Sequence, residues 1–190
     1  MPRFVALPGE WSVRIELSRV LPGPPEVVWE LLTDWDHLGD WMLEGSDFEV
    51  ISSDRTGVGV RAQATISIGG LRTRDVIEVT IWEPPSVLQI AHLGWVQGTG
   101  TLELTPLTTS ETRLDWREEL RNPQLGAIGS LGLTAFRPLM RRVFERDLRV
   151  LEGLVRARAK GGLPRQRRAS ASGQSSTRKR RSKGGSEARR

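Results

Sequence analysis

The stretch Pro24-Pro25-Glu26-Val27-Val28-Trp29-Glu30-Leu31-Leu32-Thr33-Asp34 decides how the chain is read. Proline is tolerated in the first turn of a helix, where its missing N–H costs nothing, and Glu26 complements the positive end of the helix dipole. Val28, Leu31, Leu32 and Trp35 then fall at i, i+3, i+4 and i+7, one stripe of a short amphipathic helix. The segment Asp36 to Glu44 reads as a second short helix or ordered turn. Upstream, Trp11 to Leu21 alternates, with Val13, Ile15 and Leu17 on one side and Arg14, Glu16 and Ser18 on the other. That is a half-buried strand, ended by Pro22-Gly23-Pro24-Pro25.

Downstream the pattern turns to strands. Phe48 to Ser52 is short, and Val58 to Ile68 places Val58, Val60, Ala62, Ala64, Ile66 and Ile68 on one face. Gly69-Gly70 predicts a two-residue hairpin turn. Arg72 to Trp82 alternates again, with Asp75, Ile77, Val79 and Ile81 sharing a face. Glu83-Pro84-Pro85-Ser86, a turn at Gly94 and the segment Pro106 to Ser110 separate three more strands: Val87 to Leu93, Gln97 to Thr105 and Glu111 to Leu120. Short consecutive strands with tight turns argue for an antiparallel meander. The last element is helical, with Leu139, Val143, Phe144, Leu148, Leu151, Leu154 and Val155 on its apolar stripe. Pro138 either begins this helix or sits in a longer one starting near Gln124.

Charge divides the chain of 190 residues, whose net charge is +5. Residues 160–190 hold 11 basic groups and one acid, Glu187, a net of +10, whereas residues 1–159 hold 17 basic and 22 acidic groups, a net of −5. The predicted organisation is an N-terminal arm (1–10), one α+β domain (11–159) and a disordered basic tail (160–190). The tail has no aromatic residue and one leucine, Leu163, too little apolar surface to offset its ordering entropy. Its run Arg178-Lys179-Arg180-Arg181 fits non-specific contact with a polyanion, nucleic acid or anionic lipid, but offers nothing for base stacking. The chain has no cysteine, which excludes thiol catalysis, disulfides and cysteine-rich zinc sites and fits the cytoplasm. No segment reads as a signal-peptide core or a membrane span.

The proline–x–valine–tryptophan–x–leucine–leucine pattern of residues 25–32, the tryptophan-ending loop Trp35 to Trp41, Glu83-Pro84-Pro85-Ser86-Val87-Leu88 and Thr99-Gly100-Thr101-Leu102-Glu103-Leu104 together resemble one family. This is the polyketide cyclase/dehydrase branch of the START-like, birch-pollen-allergen-like (SRPBCC) superfamily, over roughly residues 11–158. The resemblance implies a helix-grip fold: a curved antiparallel sheet of about seven strands, two short helices and a long C-terminal helix. It also implies an internal hydrophobic cavity for a lipid, a polyketide or another apolar small molecule.

Within that frame the alternation nominates polar residues. Leu114, Trp116, Glu118 and Leu120 share a face by period two, so Glu118 points inward, where desolvation suits a carboxylate to act as acid, base or ligand anchor. The ordinary alternative is a strand-end carboxylate reaching solvent or an arginine. Asp75 points inward with Ile77 and Val79, and His92 with Leu88 and Ile90. The expected catalytic pair is Glu118 and His92, and the expected ligand contacts are Trp41, Asp75, Trp116 and Glu118. His37 lies among Asp34, Asp36 and Asp40, but the spacing matches no calcium or zinc pattern. Gly98-Thr99-Gly100 lacks the lysine and the helix of a phosphate loop, and no cofactor or metal motif is present. Three functions follow: binding or transport of a hydrophobic molecule, cyclase or dehydratase chemistry, and an adaptor tethered by its tail.

Overall fold

The computed structural model describes residues 12–161, except 123 and 125; the N-terminal arm and nearly all of the basic tail lie outside the described residues. Strand β1 (Val13–Leu21) leads into helix α1 (Pro25–Leu32) and a 3-10 helix (Trp35–Asp40). The strands β2 (Gly45–Val50), β3 (Arg61–Ile68), β4 (Leu71–Glu83), β5 (Val87–Leu93), β6 (Gln97–Thr108) and β7 (Glu111–Arg121) follow, and helix α2 (Gly126–Gly161) comes last. All seven strands form one sheet in the order β1-β7-β6-β5-β4-β3-β2, every pair antiparallel. The meander β2–β7 follows from its tight turns, and β1 returns to pair beside β7. This is the predicted helix-grip architecture.

Burial follows the sequence periods closely. Val13, Ile15 and Leu17 are buried while Arg14, Glu16 and Ser18 are exposed, so β1 is an edge strand with one dry face. Along α2, Phe144, Leu148, Leu151 and Val155 are buried in one stripe, joined by Met140. Leu139, expected on that stripe, is exposed, as are Leu131 and Phe136. The helix runs through Pro138, and its close packing begins only at Met140. Arg19 of β1 pairs with Glu152 of α2 at 2.6 Å, a clamp at the well-packed end.

Three sequence expectations need correction. β3 begins at Arg61, not Val58, because Gly57 and Gly59 adopt positive φ and turn the chain, leaving Val58 exposed. β6 continues through Pro106 to Thr108, with a bulge there absorbing the missing N–H. Most consequential is a bulge in β4, where Val79 opposes Ile90 but Ile81 opposes Gln89. The extra residue, Thr80, reverses the alternation beyond it. Trp82, not Ile81, therefore opposes the inward Leu88 and packs against Trp29 and Trp35, with ring centroids 5.2 and 6.5 Å away.

A carboxyl pair ties α2 to the segment after the 3-10 helix. Asp147 is fully buried in the middle of α2, and Glu44 is buried opposite it, with Arg146 Nη2 2.9 Å from Asp147 Oδ1 and 3.3 Å from Glu44 Oε2. Burial, followed by the hydrogen bond to Asp147 and the charge of that carboxylate, pushes Glu44 up to about 8 from an ordinary 4.5. A group whose pKa is raised by folding stabilises the fold in full below its unfolded pKa and loses that contribution as pH rises through the folded value. The melting temperature is therefore expected to fall as pH rises from about 4.5 to about 8, and Glu44→Gln should flatten much of that slope in thermal melts across the range. A slope unchanged by the substitution would mean that the pair shares no proton. A second expectation concerns Gly98, whose φ is +148° and whose added Cβ would lie 1.7 Å from the Glu119 carbonyl oxygen. Gly98→Ala should destabilise the β6–β7 pairing by about 2 kcal/mol or more in urea unfolding.

Candidate functional site

The concave face of the sheet and α2 enclose a cavity of about 320 Å³, within the range of small-molecule sites. Its wall is mostly apolar: Leu38 and Trp41 from the 3-10 helix and the turn after it, Ala62 and Ile66 from β3, Leu88 and Ile90 from β5, and Met140 and Phe144 from α2. An aromatic wall runs from Trp41 to Trp116, edge to face at 6.1 Å, and on to Phe144, stacked at 4.7 Å. Stacks of this kind hold their rings firmly in place.

One part of this wall is ionic. His92 Nδ1 lies 2.7 Å from Asp75 Oδ2 and forms a hydrogen bond with it, while His92 Nε2 lies 3.2 Å from Glu118 Oε2 at an angle that makes no hydrogen bond. Trp116 Nε1 donates to Glu118 Oε1 at 2.7 Å. Burial alone would lower the pKa of His92, but the charge of Glu118 and the hydrogen bond to Asp75 outweigh it and raise the value to about 10. The imidazole is thus a cation between two carboxylates. Asp75 Oδ1, His92 Nε2 and Glu118 Oε2 remain buried without a hydrogen bond, as does Trp41 Nε1.

The three residues meet because of glycine. Asp75 and His92 lie on adjacent strands, but Glu118 of β7 is separated from β5 by β6, so about 10 Å of sheet intervenes. The positions of β6 in between are Gly98, opposite His92, and Gly100, opposite Glu118. A Cβ at Gly100 would lie 2.5 Å from Glu118 Oε1, so the carboxylate occupies the space a side chain would take. Gly94 does the same for Asp75, whose Oδ1 would lie 2.6 Å from an added Cβ.

The structure brings together Glu118, His92, Asp75 and Trp116, and puts Trp41 on the same cavity. His37 lies at the surface, away from this cavity, bonded to Asp34 at 3.0 Å. Among the described residues no group of side chains is arranged to hold a metal ion, and no helix is long and apolar enough to cross a membrane. Sequence reasoning missed Glu44 and Asp147, Trp95 on the cavity wall, and the spacing role of Gly100. The last had a signal: two glycines at i and i+2 within a strand pattern mark a close approach on one face.

The chain matches known proteins in sequence and in shape. A family model described as polyketide cyclase / dehydrase and lipid transport matches residues 12–156. An uncharacterized protein of Mycobacterium tuberculosis is 31% identical over 127 residues, 65% of this chain and 85% of that protein. Among solved structures, the Zhui aromatase/cyclase of a Streptomyces species superimposes with a TM-score of 0.63 at 19% identity, covering 80% of this chain and 99% of that one. A Thermus thermophilus protein gives a TM-score of 0.61 at 24% identity, covering 76% and 98%. The family match spans the sheet, the cavity and the gripping part of α2, and the chain is a member of the polyketide cyclase/dehydrase and lipid-transport family of helix-grip proteins.

Proposed function

We propose that this protein binds a hydrophobic small molecule, a lipid or a polyketide-like compound, between the sheet and α2. The observation that carries this reading is a cavity of about 320 Å³ with a mostly apolar wall, interrupted by the Asp75–His92–Glu118 cluster and by Glu44, the usual construction of a ligand site. The apolar wall supplies affinity through burial, roughly 25 cal/mol per Å² removed from water. The cluster supplies orientation. An environment-sensitive hydrophobic dye should bind at one site and be displaced by apolar competitors. Ala62→Phe, which projects a ring into the cavity from β3, should weaken dye binding about tenfold or more while leaving the far-ultraviolet circular dichroism unchanged. Dye binding unaffected by the substitution would place the ligand elsewhere.

A second reading, cyclase or dehydratase chemistry, is favoured by the convergence of Asp75, His92 and Glu118 on one wall. An imidazolium held between two carboxylates can protonate the carbonyl oxygen under attack as the new carbon–carbon bond forms and, once neutral, take the proton of the attacking carbon; in water loss it protonates the departing hydroxyl and takes a proton from the neighbouring carbon. Asp75 would act as a positioning residue here, fixing the ring through Nδ1. Mass spectrometry after incubation with a poly-β-ketone thioester tests this. Ring-closed or dehydrated product should form with the wild type and disappear with His92→Gln, and equal product from both proteins would exclude His92 as the proton carrier.

A further inference from the structure

Resting on the cavity reading above, we infer that the Asp75–His92–Glu118 wall recognises a neutral hydroxyl group, so that the cavity takes an apolar alcohol or phenol in preference to the matching carboxylic acid. Carboxylates accept only, and each imidazole nitrogen faces one, Nδ1 at 2.7 Å and Nε2 at 3.2 Å, so both nitrogens carry hydrogen. One donor, His92 Nε2–H, and two acceptors, Asp75 Oδ1 and Glu118 Oε2, are buried without a hydrogen bond, although Nε2 and Oε2 face each other as an ion pair. Leaving such groups unsatisfied is costly, so a ligand that fits their pattern gains more than the hydrogen bonds alone suggest.

Only some ligand groups match. The cluster carries two carboxylates and one imidazolium, a net negative charge within a mostly apolar wall. A ligand carboxylate would meet two like charges and one donor, with its own desolvation unrepaid. A ligand ammonium would satisfy the acceptors but would bring a second cation against His92. A hydroxyl accepts from Nε2–H and donates to Glu118 Oε2, bridging the one pair in the cluster that is close but misaligned. The unpartnered atoms lie just below the cavity surface, where the side chains of Asp75 and His92 are each 16% exposed.

The test is displacement of a hydrophobic dye by naphthalene, naphthol and naphthoate, three probes that share one apolar body. The expected order in the wild type is naphthol tightest, with an advantage of about tenfold over naphthalene and more over naphthoate. In Glu118→Gln the gap between naphthol and naphthoate should shrink about tenfold. Gly100→Ala should act in the same direction without altering any ionisable group, because its Cβ would lie 2.5 Å from Glu118 Oε1 and push that carboxylate off His92. Naphthalene affinity in each variant reports whether the cavity is intact, so a variant that fails to fold is recognised and the other is read instead. Naphthoate binding as tightly as naphthol, or a wild-type ranking retained in the folded variants, overturns the hydroxyl inference and leaves the cavity reading standing. Failure of all three probes to displace the dye, or of the dye to bind, overturns the cavity reading and this inference with it.

Discussion

The burial of the α2 stripe against the concave sheet governs the molecule, because a single helix covers only part of a seven-stranded surface. Phe144, Leu148, Leu151 and Val155 fill one end of the concavity, each contributing about 1.5–3 kcal/mol by leaving water. Toward its N-terminus the same helix is less closely covered: Leu131, Phe136 and Leu139 are exposed, Phe136 and Leu139 lie beside Gly69 of the β3–β4 turn, and Phe136 lines the cavity. The space under that half is the cavity. The cavity therefore lies where the helix stops packing closely, and α1, the 3-10 helix and the turn after it supply Leu32, Trp35, Leu38 and Trp41 to its wall.

What could be read from the sequence was whatever depends on period. Alternation is a local property of each strand, so the inward placement of Asp75, His92 and Glu118 followed from their apolar neighbours two residues away. Alternation failed at Thr80, since a bulge leaves no periodic trace, and Ile81 was exchanged for Trp82 on the inner face. It also missed Asp147, because a stripe defined by apolar residues passes over a buried acid at the stripe's centre. Nor could period show that the three inward polar residues meet. That depends on register, which turn lengths and bulges set, and on the side chain of the strand between them. Here that strand carries glycine at both critical positions, a fact visible in the sequence but meaningful only once β5, β6 and β7 are known neighbours.

The two ionisable clusters answer to different physics. Glu44 and Asp147 join elements distant in sequence, α2 and the segment after the 3-10 helix, with Arg146 bridging both. They act as a latch whose strength depends on one proton. Asp75, His92 and Glu118 join strands that the sheet already holds together, so they add little to the fold's definition. The backbone ladder would pair β4, β5, β6 and β7 without them.

That redundancy bears on function. Charges taken out of water lose several kcal/mol each in hydration, and their mutual attraction restores this only when every lone pair and proton is satisfied. In this cluster one donor and two acceptors are left over. Replacing such a group by well-packed apolar residues is often neutral or stabilising, and the surrounding wall, with Ile77, Leu88, Ile90 and Leu102, shows that apolar side chains fit the same surface. Stability therefore gives no reason for an imidazolium between two carboxylates at this place. A ligand hydroxyl that takes the Nε2–H donor and one of the two acceptors would supply such a reason, and the unsatisfied atoms describe that group from the protein's side. The closeness of Glu118 to Gly100 points the same way, since β6 gives up a side chain, and the packing it would provide, to bring the carboxylate to the histidine.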